Sequence, residues 1–205
     1  MNDIRYGFYL RPSYAMCLAQ AEIHDLLRRQ YGLHAAGKFM PHATIKGFFL
    51  SHADPTEMVS RLTSALADLQ SFSVSNGGVI AFGQSAVVLD IGRTPEGDKN
   101  TELQALHDAA LRALLPLVST DCDFAPRESI GSHFTPHLTL AMADIPPSTF
   151  DEVLRFVRDA EPIGPSTFRA EVVHLWEFQS DEWAGSWWET LRWRLIRSWR
   201  LPDAV

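Results

Sequence analysis

The sequence predicts an α+β protein in which two antiparallel sheets lie side by side. Two segments, PHATIKGFF (41–49) and PHLTLAMAD (136–144), share the pattern Pro-His-x-Thr-aliphatic, and both have the composition of strands. Each segment is followed, about a dozen residues later, by a helical pattern and then by two more strand-like segments. The order of the elements therefore repeats once along the chain, which indicates an internal duplication at the level of secondary structure.

The first half begins with a strand and a helix. Residues 4–10 are rich in aromatic and β-branched side chains, as strands are. A helical pattern starts at Ser13 and continues to about Tyr31, where Gly32 provides a stop signal. The first motif strand then covers 41–50.

The second helix has a clear start signal in the segment DPTE (54–57). Asp54 fits the N-cap position and Pro55 fits the first turn. Glu57 fits a capping box, in which its side chain reaches back to the N-cap backbone. Apolar residues follow at helical spacing, so we expect an amphipathic helix here.

The remaining elements keep the same order in both halves. We predict them, in chain order, as strands near 72–82 and 85–91, a polar loop at 92–100, a helix from about 101 to 117, the second motif strand at 136–143, a helix at about 149–160, and strands at roughly 167–178 and 190–200.

The composition limits the class of protein. With 205 residues, 46% hydrophobic and 21% charged, we expect a soluble globular protein without a signal peptide or a membrane span. The formal net charge of −7 argues against a general nucleic-acid coat, which would be basic, but allows a small nucleotide or one RNA end in a local pocket. Cys17 and Cys122 show neither metal-ligand spacing nor a disulfide framework, which predicts a reducing, cytosolic compartment.

The paired motif has a chemical interpretation. Because side chains alternate along a strand, His42 and Thr44 share one face, and so do His137 and Thr139. Two such pairs on opposite sides of one phosphate provide a base for the attacking nucleophile and an acid for the leaving oxygen. The hydroxyl groups can hold the remaining phosphate oxygens. This chemistry requires no metal and no cofactor.

The second motif has two possible registers. His133, in SHFT (132–135), also precedes a threonine by two residues, so either His133 or His137 could carry the function. Pro136 repeats Pro41 before the histidine, which favours His137. A single His-x-Thr match is weak evidence, because histidines and threonines at strand edges often make only surface hydrogen bonds.

The segments HATI (42–45) and HLTL (137–140), with the opening strand YGFYLRP (6–12), resemble the 2H phosphoesterase superfamily. This superfamily includes LigT-like 2′-5′ RNA ligases and 2′,3′-cyclic nucleotide phosphodiesterases. The resemblance implies a bilobal, pseudo-two-fold fold with outer helices and a central cleft. It extends over 1–205, which we expect to form a single domain.

The resemblance also implies a function. It implies that His42 and His137 are catalytic and that Thr44 and Thr139 bind the substrate. Members of the superfamily open a 2′,3′-cyclic phosphate, or cut another phosphodiester, without a metal. We therefore expect a monomeric phosphodiesterase that acts on a cyclic nucleotide or an RNA end and uses no cofactor, metal or membrane. The alternatives are a nucleotide- or RNA-binding module without turnover, and 2′-5′ RNA ligation as the reverse reaction.

Three further residues are candidates for substrate binding: Lys46, Phe48 and His133. Lys46 lies two residues after Thr44, so we expect it on the strand face of His42, where it could contact a phosphate or be a solvated strand end. Phe48 could stack on a base or pack in the core. The second motif has Ala141 in place of a matching lysine. Many LigT-like members carry a basic residue shortly after the second motif, where this chain has Met142 and Ala143, so the resemblance favours a small cyclic nucleotide over an RNA end.

The C-terminal strand alternates between two residue classes. Leu191, Trp193, Leu195 and Trp199 are expected on one face, and the arginines at 192, 194 and 200 on the other. The arginine face is either solvated or forms a rim that binds the phosphates of a longer substrate.

Overall fold

The structure is a computed structural model that describes residues 4–122 and 134–203. Within these ranges the helices are α1 (Tyr14–Tyr31), α2 (Pro55–Leu66), α3 (Thr101–Leu114) and α4 (Phe150–Asp159). The strands are β1 (Arg5–Arg11), β2 (Ala43–Leu50), β3 (Phe72–Ser75), β4 (Val79–Phe82), β5 (Ala86–Asp90), β6 (His137–Met142), β7 (Thr167–Ala170), β8 (Val172–Gln179) and β9 (Arg192–Arg200). None of the helices in this part of the chain has the length and apolar character needed to cross a membrane.

Seven strands form one antiparallel sheet in the order β4-β5-β6-β2-β1-β8-β9, and β3 pairs with β7 in a second, small sheet. The α+β class predicted from the sequence is therefore confirmed. The two sheets expected side by side are two halves of one continuous sheet, β4-β5-β6 and β2-β1-β8-β9, and each half contains strands from both sequence repeats. They are joined between β2 and β6 through a single residue pair, Ala43 with Leu138.

A row of buried side chains crosses the sheet at this junction. Val173 pairs with Leu10, Leu10 with Ala43, Ala43 with Leu138, and Leu138 with Leu89. All five side chains are fully buried in the main hydrophobic core. We call these residues the central row. Because they all face the core, the residues next to them in each strand face the other side of the sheet.

The two faces of the sheet differ in what covers them. All four helices bury their apolar residues in the main core on one face. The other face carries a smaller cluster made of Tyr9, Phe39, Trp176 and Phe178, which we call the aromatic cluster. The aromatic cluster lies on the β2-β1-β8 half, beside the first motif.

The helix boundaries follow most of the sequence signals. Gly32 ends α1 in the left-handed conformation, with φ of 72°, and its N–H donates to a carbonyl of the last turn. Asp54 caps α2 by accepting a hydrogen bond from the Thr56 N–H. The predicted capping box is wrong, because the Glu57 carboxylate accepts two hydrogen bonds from Arg61 one turn later.

The segment predicted as one strand near 72–82 forms two strands in different sheets. β3 ends at Ser75 and β4 begins at Val79, and Gly78 between them has a φ of 86°. Glycine adopts this backbone conformation readily, whereas other residues are strained in it. The chain therefore turns after β3 and leaves the small sheet for the edge of the large one.

The predicted alternation of β9 holds only for part of the strand. The register against β8 shifts at Ile196, because Leu175 pairs with Arg197 and Trp176 with Leu195. Trp193 contacts Trp176 in the aromatic cluster, whereas Trp199 packs against the main core. The prediction that both tryptophans share one face is therefore wrong. The predicted shared face of the three arginines is also wrong, because Arg200 pairs with Val172 and lies on the face opposite to Arg192 and Arg194.

The arginines predicted on the opposite face are paired with carboxylates. The three ion pairs are Arg192 with Asp181, Arg194 with Glu177, and Arg200 with Glu171. This pairing favours the interpretation of a solvated strand face over a phosphate-binding rim, because each guanidinium already has an anionic partner.

The backbone of β1 passes close to the aromatic cluster at Gly7. A methyl group added there would overlap the phenol of Tyr9, which is itself buried. We expect Gly7→Ala to lower the free energy of unfolding by about 1–3 kcal/mol, because overpacking forces buried groups to move. Gly47→Ala on β2 is the matched control, because its methyl group would meet Thr44 Cγ2 at 3.7 Å, an ordinary contact. Urea denaturation measures both variants, and equal stability would show that Tyr9 can move without cost.

Candidate active site

The two His-x-Thr motifs face the same side of the sheet. Ala43 and Leu138 pair with each other and point into the core, so their neighbours in each strand point the other way. Continuing the antiparallel register by one residue in each direction puts His42 across from Thr139 and Thr44 across from His137. The structure thus brings together four residues from the two halves of the chain: His42, Thr44, His137 and Thr139.

Both motif histidines are held in the same way. His42 Nδ1 lies 2.7 Å from the carbonyl oxygen of Met40, and His137 Nδ1 lies 2.8 Å from that of Thr135. A carbonyl can only accept, so each Nδ1 donates its hydrogen to the residue two positions earlier. The neutral rings therefore carry their lone pairs on Nε2, the nitrogen that can take a proton.

Burial makes both rings poor cations. It lowers the pKa of His42 to about 4, and charge on His137 or His24 acts in the same direction. Burial also lowers the pKa of His137, although the Thr135 carbonyl and the carboxylate of Asp90 partly oppose it. Both rings are therefore largely neutral at pH 7, and His42 is the harder of the two to protonate.

Aromatic side chains surround the histidines. The ring of Tyr9 lies 4.6 Å from that of His42, and Phe39 lies 5.6 Å from it. Phe82 lies 4.4 Å from the ring of His137. Burial raises the pKa of Tyr9, so its phenol stays protonated at neutral pH. These rings restrict the orientation of the imidazoles and keep water away from them.

The structure directs Lys46 away from the motif histidines. Along β2 the register shifts by one residue, because Phe8 pairs with Lys46 but Tyr9 pairs with Thr44. The extra residue, Ile45, turns Lys46 to the core face, where it is 1% exposed and Nζ lies 5.6 Å from the centre of the Phe49 ring. The expected position of Lys46 on the face of His42 is therefore wrong.

Phe48 packs among aromatic rings on the face of the aromatic cluster. The ring of Phe48 contacts four others, those of Phe39, Phe178, Trp183 and Trp187. These contacts favour the packing interpretation over base stacking. His133 lies outside the described residues, so its role as a substrate-binding residue stays a prediction.

Arg11 is a cation that the sequence analysis did not single out. It follows Leu10 of the central row, so continuing the register puts it across from His42 on the same face. Arg11 and His42 line one cavity of about 120 Å³, together with His174. Within residues 4–122 and 134–203, the Arg11 guanidinium has no ion-pair partner. The sequence shows that Arg11 lies at the end of a predicted strand. It does not show that this strand lies beside a motif strand.

A larger cavity of about 550 Å³ lies between α1 and the segment that leads into β2. Both signs of charge line it: Asp25, Arg28 and Lys38. Pro41, directly before His42, lines both cavities. The larger cavity therefore begins beside the first motif.

Two helix histidines, His24 of α1 and His107 of α3, also reach the motif strands. His24 Nε2 lies 2.9 Å from the Thr139 carbonyl oxygen, and His107 Nδ1 lies 2.6 Å from that of Ile45. The sequence does not predict these partners, because a position on a helix carries no signal for contacts with distant strands. No group of three or more His, Cys, Asp or Glu side chains suited to a metal ion occurs in the described part of the chain.

Comparison with known families gives one match. The model of the 2′-5′ RNA ligase superfamily matches residues 17–182. This range includes both His-x-Thr motifs and α2 to α4, together with most of α1. No curated protein sequence matches the chain.

Several solved structures share the fold at low sequence identity. The protein TT0787 of Thermus thermophilus has a TM-score of 0.63 and 15% identity, with 98% of this chain and 100% of that chain covered. Escherichia coli LigT in apo form has a TM-score of 0.53 and 17% identity, covering 99% and 100%. E. coli LigT complexed with 3′-AMP has a TM-score of 0.51 and 14% identity, covering 98% and 99%. At these identities the similarity shows the fold alone.

The buried imidazoles should make the protein sensitive to acid. The pKa of His42 is about 4 in the folded chain against 6.5 for the unperturbed group, so the unfolded state binds more protons between these values. Its contribution to the free energy of unfolding is complete above pH 6.5 and is lost as the pH falls towards 4, by about 3 kcal/mol.

Urea denaturation at pH 7 and at pH 4.5 measures this effect. Carboxylates also titrate in this range, so the comparison is between the wild type and His42→Gln, which cannot be protonated. We expect the variant to lose less stability on acidification. An identical loss in both proteins would mean that the His42 ring is not desolvated as the structure indicates.

Proposed function

The chain belongs to the 2′-5′ RNA ligase superfamily, and we propose that it hydrolyses a 2′,3′-cyclic phosphate by two-histidine acid–base catalysis. The observation that carries the proposal is the pairing of the two motifs on one face of the sheet. His42 and His137 come from different halves of the chain, and their Nδ1 atoms donate to equivalent carbonyls. The family membership agrees with the resemblance to 2H phosphoesterases, and it supports a phosphoesterase or ligase activity.

The proposed reaction adds one water molecule across a P–O bond. His42 Nε2 takes a proton from the water as the water oxygen forms a bond to phosphorus. The bond from phosphorus to the 2′- or 3′-oxygen breaks on the opposite side, and protonated His137 gives its Nε2 proton to that oxygen. Exchange with solvent then returns both rings to their starting states.

The assignment of base and acid follows from the surroundings of the two rings. His42 has the more strongly lowered pKa and stays neutral, as a base must. His137 lies near the Asp90 carboxylate, which acts to raise its pKa and favours the protonated form that an acid needs. A bound phosphate adds negative charge beside both rings and raises their pKa values further.

Substrate binding is proposed for the hydroxyl groups and for Arg11. Thr44 and Thr139 lie on the face of the two histidines and can donate to phosphate oxygens. Arg11 lines a cavity with His42 and has no ion-pair partner among the described residues, so it can supply the positive charge for a phosphate. It replaces Lys46 in this role.

The substrate class we propose is a nucleotide or an RNA end. E. coli LigT, which shares the fold, is known in a complex with 3′-AMP. The cavity of about 550 Å³ next to Pro41 has room for a nucleoside beside the reacting phosphate. We also propose that residues 1–205 act as one bilobal domain and as a monomer.

Turnover of the four nucleoside 2′,3′-cyclic monophosphates, measured in EDTA, tests the mechanism. We expect kcat/KM of the wild type to be bell-shaped in pH with its maximum below pH 6.5, because both histidine pKa values are lowered. His42→Ala and His137→Ala should each lower kcat by about 10²–10⁴-fold, the usual contribution of a positioned acid or base. His52→Ala, at an exposed histidine outside the site, is the control.

Each contrary outcome has a definite meaning. A flat pH profile between about pH 5 and 8 would contradict the acid–base pair. Loss of wild-type activity in EDTA would show that a metal takes part. Binding of the nucleotides without turnover would favour the binding-module alternative. Joining of RNA ends in place of hydrolysis would favour 2′-5′ ligation, the reverse reaction at the same site.

Arg11→Ala tests the proposed phosphate contact separately from the chemistry. A hydrogen bond to a charged group contributes about 1.5–3 kcal/mol, so we expect KM to rise roughly 10- to 100-fold with little change in kcat. Arg61→Ala is the matched control, because Arg61 lies on α2 in an exposed ion pair with Glu57. An unchanged KM in Arg11→Ala would mean that another group holds the phosphate.

A further inference from the structure

Two helix histidines donate hydrogen bonds to backbone carbonyls of the motif strands. His24 Nε2 lies 2.9 Å from the Thr139 carbonyl oxygen, and His107 Nδ1 lies 2.6 Å from that of Ile45. Because a carbonyl has no hydrogen to give, each ring nitrogen is the donor. Both bonds therefore fix the tautomer and the orientation of a helix histidine against a motif strand.

These bonds cross between the two halves of the sheet. The helix α1 follows β1 in the chain, but its His24 donates a hydrogen bond to β6 in the other half of the sheet. The helix α3 follows β5, but His107 bonds β2. Each helix histidine therefore connects the helix of one half of the sheet to the motif strand of the other half. Between the described strands β2 and β6, only one residue pair, Ala43 with Leu138, joins the two halves.

Both carbonyls lie where the strand register shifts. Ile45 is the extra residue of β2 opposite β1, and Leu140 is the extra residue of β6 opposite β5, directly after Thr139. A register shift interrupts the ladder of backbone hydrogen bonds, and a buried carbonyl then needs another donor. The helix histidines supply that donor, and Gln20 adds a second one to Thr139, with Nε2 at 2.9 Å.

Each helix histidine also contacts the segment that leads into the opposite motif. The ring of His107 stacks on Phe134, three residues before His137, with ring centres 4.0 Å apart and planes 4° apart. His24 lies against Gly37, five residues before His42, where an added Cβ would be 3.4 Å from His24 Cβ. A shift of either ring would therefore displace both motifs relative to each other.

We propose that His24 and His107 are positioning residues that set the separation and orientation of His42 and His137. They act through the carbonyls of Thr139 and Ile45. His24 also lines the larger cavity, whereas His107 lines neither cavity described above. The kinetic part of this inference rests on the proposed function, whereas the structural part does not. A misplacement of about 1 Å between reacting groups can cost about 100-fold in rate, so small shifts of the two strands are sufficient.

The test replaces each ring by a side chain that keeps or loses the donor. Gln at position 24 places an amide N–H near the ring Nε2, and Asn at position 107 places one near the ring Nδ1. His24→Gln and His107→Asn should keep kcat within about threefold, whereas Gln20→Leu/His24→Leu and His107→Leu should lose about 10- to 100-fold in kcat. KM should stay unchanged in His107→Leu, because His107 lines neither cavity. His52→Leu is the control, because this ring is exposed and bonds no motif strand.

A second readout is independent of turnover. The Hε1 NMR resonances of His42 and His137 at pH 8 should move in the two leucine proteins and return in His24→Gln and His107→Asn. Thermal denaturation locates the temperature range in which every variant is folded. If the wild type turns over no substrate, the proposed function fails and the resonances alone decide this inference.

Two results would overturn the proposal. The first is leucine variants that lose thermal stability but keep both kcat at 25 °C and the two resonances, which would give the helix histidines a structural role alone. The second is an equal change of kcat and of the two resonances in the donor-keeping and the donor-losing variants. This would mean that the size of the ring, and not its hydrogen bond, positions the motif strands.

Discussion

The burial of the central row decides which face of the sheet each neighbouring side chain takes. The row crosses five neighbouring strands, and none of its side chains is exposed to solvent. It consists of Val173, Leu10, Ala43, Leu138 and Leu89. Their burial in one core fixes the face of every neighbouring residue, because a slip of one position would move the whole row out of the core. The polar residues of the motifs therefore come to the other face as a consequence of apolar packing.

The register shifts explain why the residue after each motif also faces the core. Ile45 and Leu140 are buried in the main core, as the alternation of side chains after a motif threonine requires. As extra residues in their strands, they leave Lys46 and Ala141 on the core face as well. The absence of a lysine in the second motif therefore does not remove a ligand from the site, because the lysine of the first motif points away from it. The two motif strands therefore have the same backbone arrangement around His42 and His137.

Electrostatics at the site arise from burial more than from net charge. The chain carries a net charge of −7, yet the imidazoles lie among aromatic rings that penalise any cation. Arg192, Arg194 and Arg200 of β9 are paired with carboxylates, whereas Arg11 lies near His42 as a local positive charge. A phosphate entering this region would meet neutral rings, hydroxyl groups and one guanidinium, and its own charge would then stabilise a protonated histidine.

Several features can be predicted from the sequence: the two motifs, the α+β class, most helix boundaries, and the shared face of His42 with Thr44 and of His137 with Thr139. They depend on local propensity and on the two-residue period of a strand, which neighbouring residues specify. Three other features required the folded structure: the single residue pair between β2 and β6, the face that Lys46 takes, and the hydrogen bonds of His24 and His107. Those bonds join residues 115 and 62 positions apart, and the register shifts depend on which strand lies alongside. No local sequence pattern predicts these hydrogen bonds or register shifts, because the residues that form them become neighbours only when the chain folds.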